Sequence, residues 1–461
     1  MKKIYIKDIV KATNGILING NNDFECVNYC KDTRAISKDD IYIGIKGEKF
    51  DGNIFWKDAL DNGASTVIVQ DVEISGEDVE KYKNKNIIKV KDTLDALGKI
   101  AEYKRMTYGE DFPVVGVTGS VGKTSTKDII ANVMAQKFNT LKTKGNNNNN
   151  IGLPLTLLKL EEHEAAVIEM GMNHFDEIRE LSKITKPKIS VITNIGTSHI
   201  GNLGSRENIL KAKLEILEGM DEKNLVINND NDLLHKFKDK NVNIYTYGIE
   251  NKSDAMAEDI NLMDNCSEFT CNLFGEKFKV TVPVGGIHFV YNSLCAAVIG
   301  HYFGLTNEQI KRGIETFELT KKRMDIIKLD NDISIINDSY NASFESMQAS
   351  LKYLNNLKCK RKIAVLGDMF ELGDYSKELH SKVGEEVVKN QIDILICAGE
   401  NAKYIVEEAK KKGMKNDCIF YFENAEEIEK FIPKIWENGD AILFKASNGM
   451  KFFNIVENII K

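Results

Sequence analysis

Residues 116–128 read G-V-T-G-S-V-G-K-T-S-T-K-D, and the fold turns on how that stretch is parsed. The apolar run Pro113–Val117 leads into it as a short buried strand. Lys127–Phe138 follows, with Ile129, Ile130, Val133, Met134 and Phe138 at helical spacing. Strand, glycine-rich turn, then Lys-Thr at a helix start is the order of a phosphate-binding loop. Gly119, Ser120, Val121, Gly122, Lys123, Thr124 and Ser125 would wrap the phosphates. Backbone N–H groups point inward, the helix N-terminus adds positive potential, and Lys123 reaches the terminal phosphates. Thr124 offers a hydroxyl to Mg²⁺. The strict pattern G-x-x-x-x-G-K-[ST] needs glycine at 117, where Val117 stands; the glycines are Gly116, Gly119 and Gly122. The T-G-x-x-G-K-T variant points away from generic P-loop NTPases.

The chain has 461 residues, 42% hydrophobic and 28% charged, so an ordinary globular protein of several domains is expected. Its net charge of −7, with bases dispersed among acids, argues against a nucleic-acid partner. Eight cysteines occur without C-x-x-C pairs. Cys26 and Cys30 have no second pair to complete a zinc site, so reduced thiols in a cytoplasmic protein are expected. Lys7, Asp8 and Lys11 interrupt the N-terminal apolar residues, which argues against a signal peptide. No apolar run is long enough for a membrane span. A monomer is expected.

A first unit, residues 1–88, carries short apolar runs at Ile41–Ile45, Thr66–Val69 and Ile87–Val90 and a helix over 53–62. Asp32-Thr33-Arg34 precedes the Ile41 run. A hydroxyl beside a guanidinium suits a phosphate, but the spacing alone favours a plain surface turn. A helix over Asp92–Tyr108 opens the second unit, residues 89–320. Five asparagines, Asn146 to Asn150, lie between Gly145 and Gly152 ahead of a helical run Leu153–Leu160, which suits an ordered polar loop. Strands 165–171, 189–199 and 225–230 end in polar residues: Glu169 on the first, Asn194 and His199 just past the second. Strands alternating with helices predict a parallel sheet with ligands at its carboxyl rim. The loop, Glu169 and His199 then converge as a metal–phosphate site. A helix over Ser205–Gly219 puts Lys213 inside the apolar arc of Ile209, Leu210, Leu214, Ile216 and Leu217, taking about 100° per residue. Either that lysine snorkels or its charge is altered or countered. A third unit, residues 321–461, repeats the α/β pattern with strands at 363–369, 394–399 and 441–447. Asp338-Ser339-Tyr340-Asn341 follows another strand, Ile333–Ile336, near the junction of the units. Asn251-Lys252-Ser253-Asp254 spells the guanine-reading N-K-x-D of switch GTPases. No D-x-x-G lies between it and the loop, and it reads as a chance match.

These stretches, with D-T-R, K-G-E-K-F-D-G, E-M-G-M-N-H, T-N-I-G-T-S-H-I and K-A-K-L-E-I, resemble the Mur ligases over almost the whole chain. The asparagine-rich loop, N-D-S-Y-N-A-S and L-G-D-M-F-E-L-G-D-Y-S are similar to the members that add D-Ala-D-Ala to UDP-MurNAc-tripeptide. The resemblance implies a small α/β substrate domain and a central domain whose mostly parallel sheet has helices on both faces. A Rossmann-like C-terminal domain would close on ATP and bind the incoming dipeptide. It implies that residues 119–125 hold the ATP phosphates and that Thr124 and Glu169 bind one Mg²⁺. Glu169, His199 and Lys213, the last as a CO₂-derived carbamate, would bind a second Mg²⁺. Lys123, Glu169, His199 and Lys213 would be the catalytic set. Asn292 would face adenine, and Arg323 and Asp338 the phosphates and ribose. Thr33 and Arg34 would lie near the UDP, Asn146 and Asn149 would contact substrate, and Asn341 would sit by the dipeptide. The sequence departs from the family pattern at Phe289, Phe344, Ala446 and Asn448.

Overall fold

Three larger β-sheets in succession, besides a two-stranded pairing of Ile4–Tyr5 with Glu25–Cys26, organise the chain, which is seen here in a computed structural model describing residues 2–47, 50–318, 324–329 and 332–460. The first sheet has five strands in the order Ile16–Asn19, Asn86–Lys89, Thr66–Val69, Ile41–Ile43, Tyr29–Cys30. Only its Ile16–Asn19 edge runs antiparallel. The helical stretch expected over 53–62 is a 3-10 turn, Gly52–Phe55, followed by Trp56–Asp61.

The central sheet holds nine strands. From one edge they run Thr140–Lys142, Ala165–Glu169, Val114–Thr118, Ile189–Ile192, Asn224–Asn228, Asn243–Gly248, Ala255–Leu262, Ser267–Leu273 and Glu276–Val282. Seven are mutually parallel, and the last two extend the edge as an antiparallel hairpin. The parallel strands are buried throughout their middle, which is why they read as unbroken apolar runs. The sequence reading assigned no strand to 243–282. The third sheet has six strands in the order Asp325–Lys328, Ser334–Asn337, Asp440–Lys445, Arg361–Gly367, Ile394–Ala398, Ile419–Phe422, parallel except at Asp325–Lys328.

Helix Thr93–Met106 joins the first sheet to the second, packing on helix Ile6–Thr13 on one side and on Gly152–Leu157 and Glu177–Thr185 on the other. Its Arg105 is buried, and burial lowers the guanidinium to about 10. Among the described residues no carboxylate answers it; it donates to the carbonyls of Gly109 (2.8 Å), Thr185 (3.1 Å) and Lys186 (3.3 Å). The last two end helix Glu177–Thr185, where outstanding carbonyls favour a cation.

The long helix expected over Ser205–Gly219 is an α-helix only from Arg206 to Leu214, with 3-10 geometry from Glu215 to Gly219. Gly219 there lies on the Ser182 backbone, where a Cβ would come within 2.1 Å of the Ser182 carbonyl oxygen. Among the described residues no helix is long and apolar enough to cross a membrane, and the cysteines are free thiols.

Candidate active site

The carboxyl ends of Val114–Thr118, Ala165–Glu169 and Ile189–Ile192 open into one cavity of about 580 Å³, whose far wall is built by the third unit, chiefly residues 338–343 and helix Phe344–Asn356. Helix Lys123–Met134 begins four residues earlier than its apolar spacing suggests, because Gly122 takes a left-handed conformation (φ 81°) and aims the chain into the first turn. Gly119 (φ 151°) passes so close to Thr193 that a Cβ would lie 1.9 Å from its Oγ1.

The end of strand Ile189–Ile192 braces the loop between these glycines. Asn194 takes the Ser120 N–H on its carbonyl (3.1 Å) and the Val121 N–H on its Oδ1 (3.0 Å). Thr193 Oγ1 donates to the Val121 carbonyl (2.6 Å). Two of the loop's amides are thus already paired, and Ser120 to Ser125 line the cavity. The Lys123 ammonium lies on the Gly119 carbonyl at 2.8 Å, across the mouth of the loop.

Glu169 is 2% exposed. Its Oε2 accepts from Thr124 Oγ1 (2.8 Å) and its Oε1 from Asn148 Nδ2 (2.8 Å). The asparagine run therefore does a definite job: Asn148 is held by the Gly171 N–H on its carbonyl (2.8 Å) and orients Glu169. Asn146 and Asn149 also line the cavity, and Asn149 Oδ1 caps the N–H groups of Ile151 and Gly152. Thr124 and Glu169 are hard oxygen donors side by side, the chemistry Mg²⁺ prefers; that ion ordinarily completes its shell with water and phosphate oxygens. Among the described residues no three His, Cys, Asp or Glu side chains gather as a metal cage.

His199 lines the cavity with φ 65° at the start of the short helix Ile200–Leu203. Its Nδ1 sits against the Glu371 carboxylate of the third unit in an ion-pair contact. This imidazole holds the Glu371 carboxyl below its ordinary value. Lys213 is 1% exposed, so its ammonium does not snorkel to water. It has no hydrogen-bond or ion-pair partner among the described residues. Burial, and then the nearby Lys123 charge, push it well below the ordinary lysine value.

From the third unit, Asp338 and Asn341 face the cavity. Lys445 is 2% exposed and donates to the Asp338 carboxylate and to the Asn341 carbonyl (3.2 Å). On helix Ile287–Tyr302, His288, Tyr291 and Asn292 are three and four residues apart and share the face that lines the cavity. Asn292 Oδ1 accepts from Thr126 Oγ1 (2.9 Å), which seats it beside the loop helix.

With this geometry in place, the likeness to known proteins is informative. Residues 29–105 match the family model "Mur ligase family, catalytic domain", residues 117–300 "Mur ligase middle domain" and residues 322–448 "Mur ligase, glutamate ligase domain". The UDP-N-acetylmuramoyl-tripeptide–D-alanyl-D-alanine ligase of Bacillus subtilis is 36% identical over 100% of this chain and 99% of its own length. The chain belongs to the Mur ligase family. The ligase of the same name from Escherichia coli is 32% identical, over 88% of each chain. Among solved structures, a MurF of Acinetobacter baumannii superposes with a TM-score of 0.90 at 28% identity, covering 100% of this chain and 99% of that one. MurF of Thermotoga maritima in complex with ADP gives 0.82 at 28% identity, covering 94% and 97%.

This Mur ligase does not bring every expected residue to the cavity. Thr33 and Arg34 lie on an exposed 3-10 turn away from it, with Arg34 forked onto Asp32 (2.7 and 2.9 Å). Arg323 lies outside the described residues. The N-K-S-D stretch is structural: Asn251 binds Asp230, and Asp254 holds Thr246 through its N–H and hydroxyl, both at 2.8 Å. The sequence reading singled out neither Asn148 as the partner of Glu169, nor Lys445, nor His288 and Tyr291.

Proposed function

We infer that this Mur ligase joins the amine of D-Ala-D-Ala to the terminal carboxylate of UDP-MurNAc-tripeptide, converting ATP to ADP and phosphate. The observation that carries this is the single cavity in which the Lys123 loop, Glu169 and the third unit's Asp338, Asn341 and Lys445 face one another. A carboxylate resists an amine because its charge is delocalised and oxide leaves poorly. Attack of the carboxylate oxygen on the γ-phosphorus forms an acyl phosphate and releases ADP. The amine then attacks the acyl carbon, and phosphate departs with the C–O electron pair. The loop helix and Lys123 hold the phosphates and offset charge as the γ-phosphoryl transfers. Mg²⁺ at Thr124 and Glu169, when bound, neutralises phosphate charge. Closure of the third unit excludes water that would otherwise consume the acyl phosphate.

The same reading assigns residues 1–88 to the UDP-substrate domain, 89–320 to the ATP domain and 321–461 to the closing domain. Arg323 and Asp338 then serve ATP from the closing side, and Thr33 and Arg34 serve UDP. It sets the reaction in the cytoplasm and in a monomer. The deciding assay is phosphate release from ATP and UDP-MurNAc-tripeptide, with and without D-Ala-D-Ala. Full turnover requires all three and yields ADP; AMP and pyrophosphate would rule out the acyl phosphate.

For Lys213 the reading is a carbamate that, with His199 and Glu169, holds a second Mg²⁺. A buried amine kept neutral is the form that adds CO₂, and the resulting anion relieves the repulsion from Lys123. Lys213→Ala is expected to abolish turnover with the fold retained, and acetate or formate to restore part of it. Lys213→Arg should not be rescued. Full activity of Lys213→Ala in CO₂-depleted buffer would dismiss the carbamate.

A further inference from the structure

The nucleotide's phosphates belong at the loop after Val114–Thr118, and the Thr124–Glu169 pair lies on the Ala165–Glu169 side of that strand. The cavity extends the other way, toward strands Asn224–Asn228 and Asn243–Gly248, two and three strands from the loop. At the ordinary strand spacing that is roughly 10–14 Å, room for a ribose and a purine. Tyr291 lines this end.

Its hydroxyl is committed in one direction. It lies 2.9 Å from Asp230 Oδ2. The Asp230 carboxylate also takes the N–H groups of Ile249 (2.6 Å), Glu250 (3.0 Å) and Asn251 (2.8 Å), and the Asn251 side-chain amide (3.0 Å). Burial alone would raise Asp230, but these donors outweigh it and hold the carboxyl below its ordinary value. Burial and the Asp230 contact both raise the Tyr291 phenol, so it keeps its proton. A hydroxyl has one proton and two lone pairs. With the proton given to a carboxylate that can only accept, what remains for the cavity is acceptor capacity alone. Among adenine's polar atoms the only donor is the 6-amino group.

We propose that Tyr291, locked as a donor to Asp230, reads the 6-position of the bound purine and selects an amino group there over a keto oxygen. This rests on the ATP-binding reading above. Discrimination against guanine and hypoxanthine nucleotides is then expected at one atom, the Tyr291 phenolic oxygen. A keto oxygen at the same place would set two acceptors against each other, a cost as well as a lost bond.

The test is equilibrium calorimetry on the full-length protein with ADP, IDP and the diphosphate of purine riboside, which carries hydrogen at position 6. The wild type should bind ADP most tightly, the 6-H nucleotide more weakly and IDP most weakly. Tyr291→Phe keeps the ring and should weaken ADP roughly tenfold, the worth of one hydrogen bond, while leaving IDP unchanged or slightly tighter. Wild-type protein that binds IDP as tightly as ADP overturns the proposal without any variant. Equal weakening of ADP and IDP in Tyr291→Phe also overturns it, because the ring would then be only a wall. If the wild type binds none of the three, the nucleotide-site reading itself fails.

Discussion

His288 shows what the cavity does to a single side chain. Enclosure lowers its imidazole to about 4, with Lys445 adding to the fall and Asp338 opposing it. The folded chain therefore holds His288 neutral where the unfolded chain, near 6.5, begins to bind a proton. The stability from keeping it neutral is complete above pH 6.5 and is lost as pH falls from there toward 4. The full loss is about 3 kcal/mol. In His288→Gln this part of the acid sensitivity should vanish. Melting temperatures from pH 7.5 to 4.5 should fall less steeply for the variant than for the wild type. Parallel curves would mean that His288 does not titrate in this window.

At the scale of elements, the phosphate loop and its brace form one unit. Gly119→Ala must place a methyl group where Thr193 Oγ1 already lies, at a φ that L-residues avoid. Roughly 1–3 kcal/mol of stability should be lost. ADP affinity should fall more severely than that, because the Ser120–Asn194 and Val121–Asn194 bonds must shift. A Gly119→Ala protein with wild-type ADP affinity would show that the brace is dispensable. This element was legible in the sequence because the constraint is local: glycine spacing and Gly-Lys-Thr at a strand–helix junction state it outright. Glu169 was legible for a similar reason, as a charge ending an apolar run. Lys213 stood out through helical periodicity. Asn148 could be suspected only as one of five like residues, since what distinguishes it is a partner 21 positions away. Lys445 closes an apolar strand and gave no sign of its partner, because Ser334–Asn337 pairs with Asp440–Lys445 across more than a hundred residues. Tyr291 lies in a largely apolar helix, and its hydroxyl's partner, Asp230, is 61 positions away. The hairpin Ser267–Val282 does alternate in the sequence, with Phe269, Cys271 and Leu273 inward, yet its place on the central sheet follows from long-range pairing.

Across the whole molecule, one apolar core cluster runs through the second and third units, and three polar points tie them at the cavity's side. The Gly201 N–H meets the Glu371 carbonyl (3.0 Å), Tyr375 Oη meets the Gly204 carbonyl (2.7 Å), and Thr197 Oγ1 meets Glu345 (3.1 Å). Gly201 meets backbone of the third unit closely: a Cβ would fall 2.6 Å from Gly373 N and 2.7 Å from the Glu371 oxygen. Gly201→Ala should hold the third unit away from the cavity. We expect turnover to fall roughly a hundredfold, the scale of an ångström's misplacement. Small-angle scattering with an ATP analogue and UDP-MurNAc-tripeptide should show a larger radius of gyration than wild type. Superimposable scattering curves would mean that the contact yields without cost.

The Asn194 brace has a thermodynamic meaning beyond its geometry. A glycine-rich loop left loose would have to surrender its backbone freedom each time a nucleotide arrived, and affinity would be lower by that entropy. Here the protein immobilises Ser120 and Val121 during folding, through a side chain and a carbonyl on the neighbouring strand. The ordering cost is charged once per molecule synthesised, and the catalytic cycle runs without it.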